Sequence, residues 1–124
     1  MYNLHCLTFN NTFPSAPKTP STDDLISVNA SAVSIHLYSW ESGGCPITSF
    51  AVTHQLYGSG RRQSPAILAG TASIYTISKL RPLTWYQVKI NANNAAGATS
   101  ITYKLATTSL TGGKHLNINI PNYL

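Results

Sequence analysis

Charge is scarce in this sequence. Only 9% of its 124 residues are Asp, Glu, Lys or Arg, against about a quarter in an ordinary soluble domain. The acids number 3, Asp23, Asp24 and Glu41, and two of them are adjacent. So few carboxylates offer no separated pair for general acid and base work. The 8 Lys and Arg leave a formal net charge of +5, but they are scattered from Lys18 to Lys114 instead of forming a stripe. The basic balance reflects missing acids, and no nucleic-acid role is expected.

Long apolar runs are missing as well. None approaches the roughly 20 residues that cross a bilayer, so no membrane insertion by this segment is expected. The opening "MYNLHCLTFNN" has neither a basic start nor an apolar stretch of about 7 to 15 residues, so it does not read as a signal peptide. There is no Cys-x-x-Cys and no pair of histidines at helical spacing, and no Gly-x-Ser-x-Gly elbow. "GSGRR" lacks the Lys and Ser/Thr of a phosphate loop. Catalysis, a metal and a cofactor are therefore not expected. His36 and His54 would approach only across adjacent strands, and their parities place His36 outward and His54 inward. Both read as structural or surface histidines.

The chain has 2 cysteines, Cys6 and Cys45. A bridge between them would close a loop of roughly 40 residues and stabilise the fold by about 3 to 4 kcal/mol. Two unpaired thiols are the preferred reading, because Cys6 falls in a leader without periodicity. Candidate glycan acceptors are Asn10, in "NNT", and Asn29, in "NAS", on condition that the chain passes through the secretory route.

What the sequence does have is alternation. Residues 1–13 form a leader of no assignable structure, and "PSAPKTP", with Pro14, Pro17 and Pro20, has the chemistry of a linker. "LISV", at 25–28, reads as a first edge strand. "AVSIHLYSW" sets Val33, Ile35 and Leu37 on one face and Ser34, His36 and Tyr38 on the other. Trp40 breaks that parity, which a bulge before it would accommodate. After the turn "ESGGCP", Phe50, Val52, His54 and Leu56 share a face. "AILAG" offers a minor strand and "SIYTISKL" another, with Tyr75 and Ile77 together. Beyond the "LRPLT" corner, Tyr86, Val88, Ile90 and Ala92 oppose Trp85, Gln87, Lys89 and Asn91. "NNAAGA" turns the chain again, and Ile101, Tyr103 and Leu105 line the last strand.

About seven short strands separated by turn signals describe an all-β, seven-stranded immunoglobulin-like antiparallel sandwich. It would occupy residues 14–110, with 111–124 as a C-terminal tail. Trp40, Leu80 and Tyr86 are the expected structural core, with the Tyr86 hydroxyl returning to nearby backbone as a tyrosine corner. Trp85 points outward, toward Lys89 and Arg81. These three form a candidate contact surface, either a local cation-π stack or an anchor for a neighbour. The local stack is the preferred reading. The loops "ESGGCP" and "NNAAGA" are expected at one end of the sandwich, and they carry neither Arg-Gly-Asp nor a Trp-Ser-x-Trp-Ser box.

Taken together, "PSAP", "SW", the corner residues Leu80, Pro82, Thr84 and Tyr86, and Ala92, Asn94, Ala96 and Gly97 resemble a fibronectin type III domain over residues 14–108. The pairing of "GGCPI" with "TWY" is similar to the fibronectin domains of the Down syndrome cell adhesion molecules, Dscam. The chain departs from that pattern at His54, where Tyr often stands, and at Asn93 and Ala98, where some relatives have cysteines. The resemblance implies an extracellular module of a single-pass adhesion receptor, acting in cell-cell recognition as a stalk or spacer. Its protein partners would be met through other domains of the parent. The alternative is a secreted or receptor module that binds a soluble protein ligand through its loop end.

Overall fold

The computed structural model of the chain describes residues 13–60 and 63–110. A short helix, α1 (Thr22–Leu25), leads into β1 (Ile26–Val28) and β2 (Val33–His36). Then come β3 (Ile47–Leu56), β4 (Ala66–Ala69), β5 (Ile74–Ile77), β6 (Trp85–Asn94) and β7 (Gly97–Ala106). The strands form two sheets, ordered β1-β2-β5 and β4-β3-β6-β7, with every neighbouring pair antiparallel. The all-β sandwich expected from the alternation is the observed fold.

Period-two patterning decides which side chains fill the space between the sheets. Val33 and Ile35 of β2, Phe50 and Val52 of β3, Val88, Ile90 and Ala92 of β6, and Tyr103 and Leu105 of β7 are all buried in one apolar cluster. Full burial of a side chain the size of Val, Ile or Phe is worth about 1.5 to 3 kcal/mol, so this set supplies most of the apolar drive. The second sheet is the longer one. Its strands β3, β6 and β7 have 10 residues each, a span of roughly 33 Å per strand.

Four expectations need correction. Leu25 does not belong to a strand: it ends α1, fully buried. Ser21 caps that turn by accepting the Asp24 N–H at 3.3 Å, so the edge strand starts one residue later, at Ile26.

No bulge carries Trp40 inward. Strand β2 stops at His36, and Leu37–Ser39 form a 3-10 turn closed by Trp40 N–H donating to Leu37 O at 3.2 Å. Ser39 Oγ donates to His36 O at 2.6 Å, holding the turn that resets the phase. Trp40 is then buried, edge-on to Phe50 with ring centroids 6.2 Å apart.

The proline-rich stretch does not behave as a linker. Pro17 is buried, and Lys18 pairs with Glu41 as an antiparallel bridge, through N–H to O bonds of 2.9 and 3.2 Å. Ser15 N–H donates to Gly43 O at 2.8 Å. Proline's fixed φ suits an extended edge segment, because the donors it lacks are not needed on the outer side.

Finally, His36 and His54 do not sit on adjacent strands. His36 lies on β2 and His54 on β3, in different sheets.

Candidate functional site

A sandwich module offers its two poles and its outer sheet faces to other molecules. At the pole where the chain enters, three segments meet around one side chain. Asn94, the last residue of β6, is 8% exposed. Its Nδ2 donates to Ser15 O at 2.8 Å, Ser42 O at 2.6 Å and Cys45 O at 3.4 Å, while its Oδ1 accepts Ala96 N–H at 2.8 Å and Gly97 N–H at 2.9 Å. One amide thus ties the proline-rich segment, the "ESGGCP" loop and the "NNAAGA" turn together. Thr99 Oγ1 adds a bond of 2.6 Å to Pro17 O.

Gly43 has a φ of +79°, and a Cβ there would stand 2.5 Å from the carbonyl oxygens of Ser15 and Ala16. Only glycine permits both that backbone conformation and that approach. Cys45, fully buried, is disulfide-bonded, so the preference for an unpaired thiol is corrected at this residue. Cys6 and Asn10 lie outside the described residues.

At the opposite pole the chain turns through Leu80–Thr84 and leaves after β7. Tyr86 is buried, and its hydroxyl accepts the Arg81 N–H at 2.9 Å. Leu80, partly buried against the core, donates its N–H to Ser31 O at 2.9 Å. Thr107, buried, accepts Thr84 N–H at 3.0 Å on its hydroxyl and donates that hydroxyl's proton to Arg81 O. Asn29 lies exposed on the turn between β1 and β2.

Trp85 faces outward, 38% exposed, beside Tyr57. The cation over both rings is Lys104, with Nζ 4.4 Å from the Tyr57 centroid and 4.8 Å from that of Trp85. The cation is thus not supplied by Lys89 or Arg81, the partners set there by parity. Lys89 shares the face but sits four residues along the strand, about 13 Å away. Lys104 stands opposite Gln87 on the paired strand, diagonal to Trp85 and within reach. Sequence parity in a single strand could not disclose that neighbour.

The outer face of the longer sheet forms an open trough lined by Thr53, Gln55, Gln87, Lys89, Asn91 and Ser100. Among the described residues its polar walls carry one charge, on Lys89, and no convergent reactive groups. His54, half-buried beside it, has its pKa lowered by loss of solvent. His36 Nε2 lies 3.2 Å from Ser27 Oγ, with its ring edge-on to Tyr38. Among the described residues no three His, Cys, Asp or Glu gather as metal ligands, and no helix is long and apolar enough to cross a membrane.

With this geometry in place, residues 28–116 match the family of the DSCAM/DSCAML C-terminal Fn3-like domain. Among curated proteins, the chain is 34% identical over 97 residues to the cell adhesion molecule Dscam1 of Drosophila melanogaster, covering 78% of this chain and 5% of that protein. It is 31% identical over 86 residues to DSCAM of Gallus gallus, and 30% over 86 residues to that of Homo sapiens, each match covering 69% of this chain and 4% of the relative. The chain therefore spans only a small fraction of these relatives' length. Among solved structures, a computationally redesigned β-sandwich protein superposes with a TM-score of 0.59 at 18% identity, covering 79% of this chain and 94% of that one. The FN1-FN3 domains of chicken CNTN1 give 0.55 at 19%, covering 76% and 33%. These two show the fold alone.

Proposed function

The chain belongs to the family of DSCAM/DSCAML C-terminal Fn3-like domains, and from that membership we propose that it is an extracellular module of a cell adhesion receptor, placed in series with other domains as a stalk or spacer. Its relatives are named cell adhesion molecules. In this reading the module performs no catalysis, and partner recognition belongs to other domains of the parent.

The observation that supports the spacer role is where the chain enters and leaves. It enters beside the start of β7, where Thr99 bonds Pro17 and the Gly97 backbone approaches Ala16. It leaves after the far end of the same strand, where Thr108 N–H donates to Asn29 O at 3.2 Å. The two points are thus separated by the length of a ten-residue strand, roughly 33 Å. Such a module adds length to a rod instead of folding it back.

The "ESGGCP" and "NNAAGA" loops, by contrast, spend their polar groups on each other through Asn94. That weighs against the soluble-ligand alternative at the loop end.

The test uses the full-length parent on cultured cells. Surface labelling reads its location. Replacing this module with an unrelated fibronectin type III sandwich of equal length is expected to preserve cell aggregation. Deleting it shortens the reach. Loss of aggregation on the equal-length swap would sink the spacer reading and favour a module with its own ligand.

A further inference from the structure

The turn between β1 and β2 carries the sequence "NAS" at 29–31, and its geometry gives that motif more than a chance place. Asn29 Oδ1 accepts two backbone donors, Ser31 N–H at 2.9 Å and Ala32 N–H at 2.8 Å. This is an Asx turn, in which the carbonyl half of the amide is committed to the backbone. The other half, Nδ2, has no hydrogen-bond partner among the described residues, and both Asn29 and Ser31 are exposed. The main chain of the same residue is pinned on both sides, by Asn29 N–H donating to Ala32 O at 2.9 Å and by Thr108 N–H donating to Asn29 O. A large group on Nδ2 therefore extends into solvent without disturbing the turn. The disulfide at Cys45 is independent chemistry of an oxidising, secretory route.

We infer that Asn29 is an N-glycan acceptor, and that its glycan stands at the pole where the chain leaves the module. The inference rests on the extracellular reading only for access to the transferring enzyme. In the reaction Asn29 Nδ2 attacks the anomeric carbon of a lipid-pyrophosphate-linked oligosaccharide. The new bond is Nδ2–C1, and the bond broken joins C1 to the pyrophosphate oxygen. That oxygen leaves with the electron pair, and Nδ2 gives up one proton to a base of the transferase. Thr108 links the acceptor to the corner, since its N–H reaches Asn29 O and its O accepts Leu83 N–H at 3.1 Å. The sugar is rooted one hydrogen bond from the departing strand, where it limits how closely a following module approaches.

The full chain behind a cleavable signal peptide, expressed in animal cells, tests this. Amidase release of glycans in heavy-oxygen water, followed by peptide mass mapping, reads Asn29 separately from Asn10. The expected result is a peptide at Asn29 converted to labelled Asp in most wild-type molecules, no conversion in S31A, and retention in S31T. S31A keeps the Asx turn, because Ser31 contributes only its backbone N–H to it. A chain retained inside the cell is mapped from the lysate in the same way.

An unmodified Asn29 in wild type overturns the inference. Because the signal peptide supplies access, that failure says nothing against the parent's surface location. Conversely, an occupied Asn29 combined with a parent absent from the surface sustains the acceptor and sinks the extracellular reading.

Discussion

The Tyr86 hydroxyl accepts the Arg81 backbone N–H at 2.9 Å, five residues back across the corner that precedes β6. Tyr86 is 6% exposed, so the bond closes the corner from inside. Removing the hydroxyl in Y86F leaves a half-buried N–H without its acceptor while keeping the ring. We expect Y86F to lower unfolding free energy by about 1 kcal/mol or somewhat more, read as a shifted urea midpoint with an unchanged slope. An unshifted midpoint would show that water replaces the hydroxyl.

Asn94 carries five hydrogen bonds to three chain segments. N94A should therefore cost more than Y86F, on the order of 2 to 3 kcal/mol. N94D retains the acceptor for Ala96 and Gly97 but turns a carboxylate toward three carbonyls, and is expected to be at least as damaging. Limited proteolysis near Ser15 should accelerate in both variants. Intact protection of that segment would show that the Lys18–Glu41 bridge holds it unaided.

Lys104 is held between Tyr57 and Trp85. K104A should destabilise by no more than about 0.5 to 1 kcal/mol, because the site is partly exposed. The sharper readout is quenching of Trp85 fluorescence by acrylamide, expected to rise in K104A and to change little in K89A. Trp40 is buried and supplies a weakly quenched background. Equal responses from the two variants would assign the Trp85 environment to the whole face instead of to one cation.

Burial lowers the His54 pKa below its ordinary value of 6.5. The unfolded chain then binds a proton that the folded chain refuses as pH falls through that value. The stability contribution is full above the unfolded pKa and lost as pH falls through the folded one. Between neutral and mildly acid pH, stability should decline with acidification, and H54Q should remove that part of the slope. A slope unaltered by H54Q would show that His54 is not its source.

Alternation was enough to read the sandwich. It placed Val33, Ile35, Phe50, Val52, Val88, Ile90, Tyr103 and Leu105 on the inner faces where they are found, because a half-buried strand writes its burial directly into every second residue. What lay hidden depends on distances between segments. Trp40 showed as a parity break, but the device that resets the phase is a turn fixed by the Ser39 hydroxyl, and a bulge would have produced the same letters. The proline-rich segment has the composition of a free linker, and only its bonds to Glu41, Gly43, Asn94 and Thr99 reveal that it is attached. Asn94 itself stood in view within the "A.N.AG" pattern. Its burial among three carbonyls needed the fold.

That attachment also sets how the module yields when it is pulled. Once the disulfide at Cys45 is reduced, tension applied between the two poles reaches the Ser15–Lys18 segment first, and this segment is held by a few polar bonds to the Asn94 amide, Thr99 and the loop at 41–43. These can let go while β3, β6 and β7 stay zipped along their length. Release then stops where Leu25 is buried in the core. With that disulfide reduced, the module behaves as a rod with a mechanical fuse at one end. Under single-molecule extension in reducing buffer it should show a small early step before the sheets rupture, a step that oxidation suppresses, and N94A should lower the force of that step without moving the rupture force.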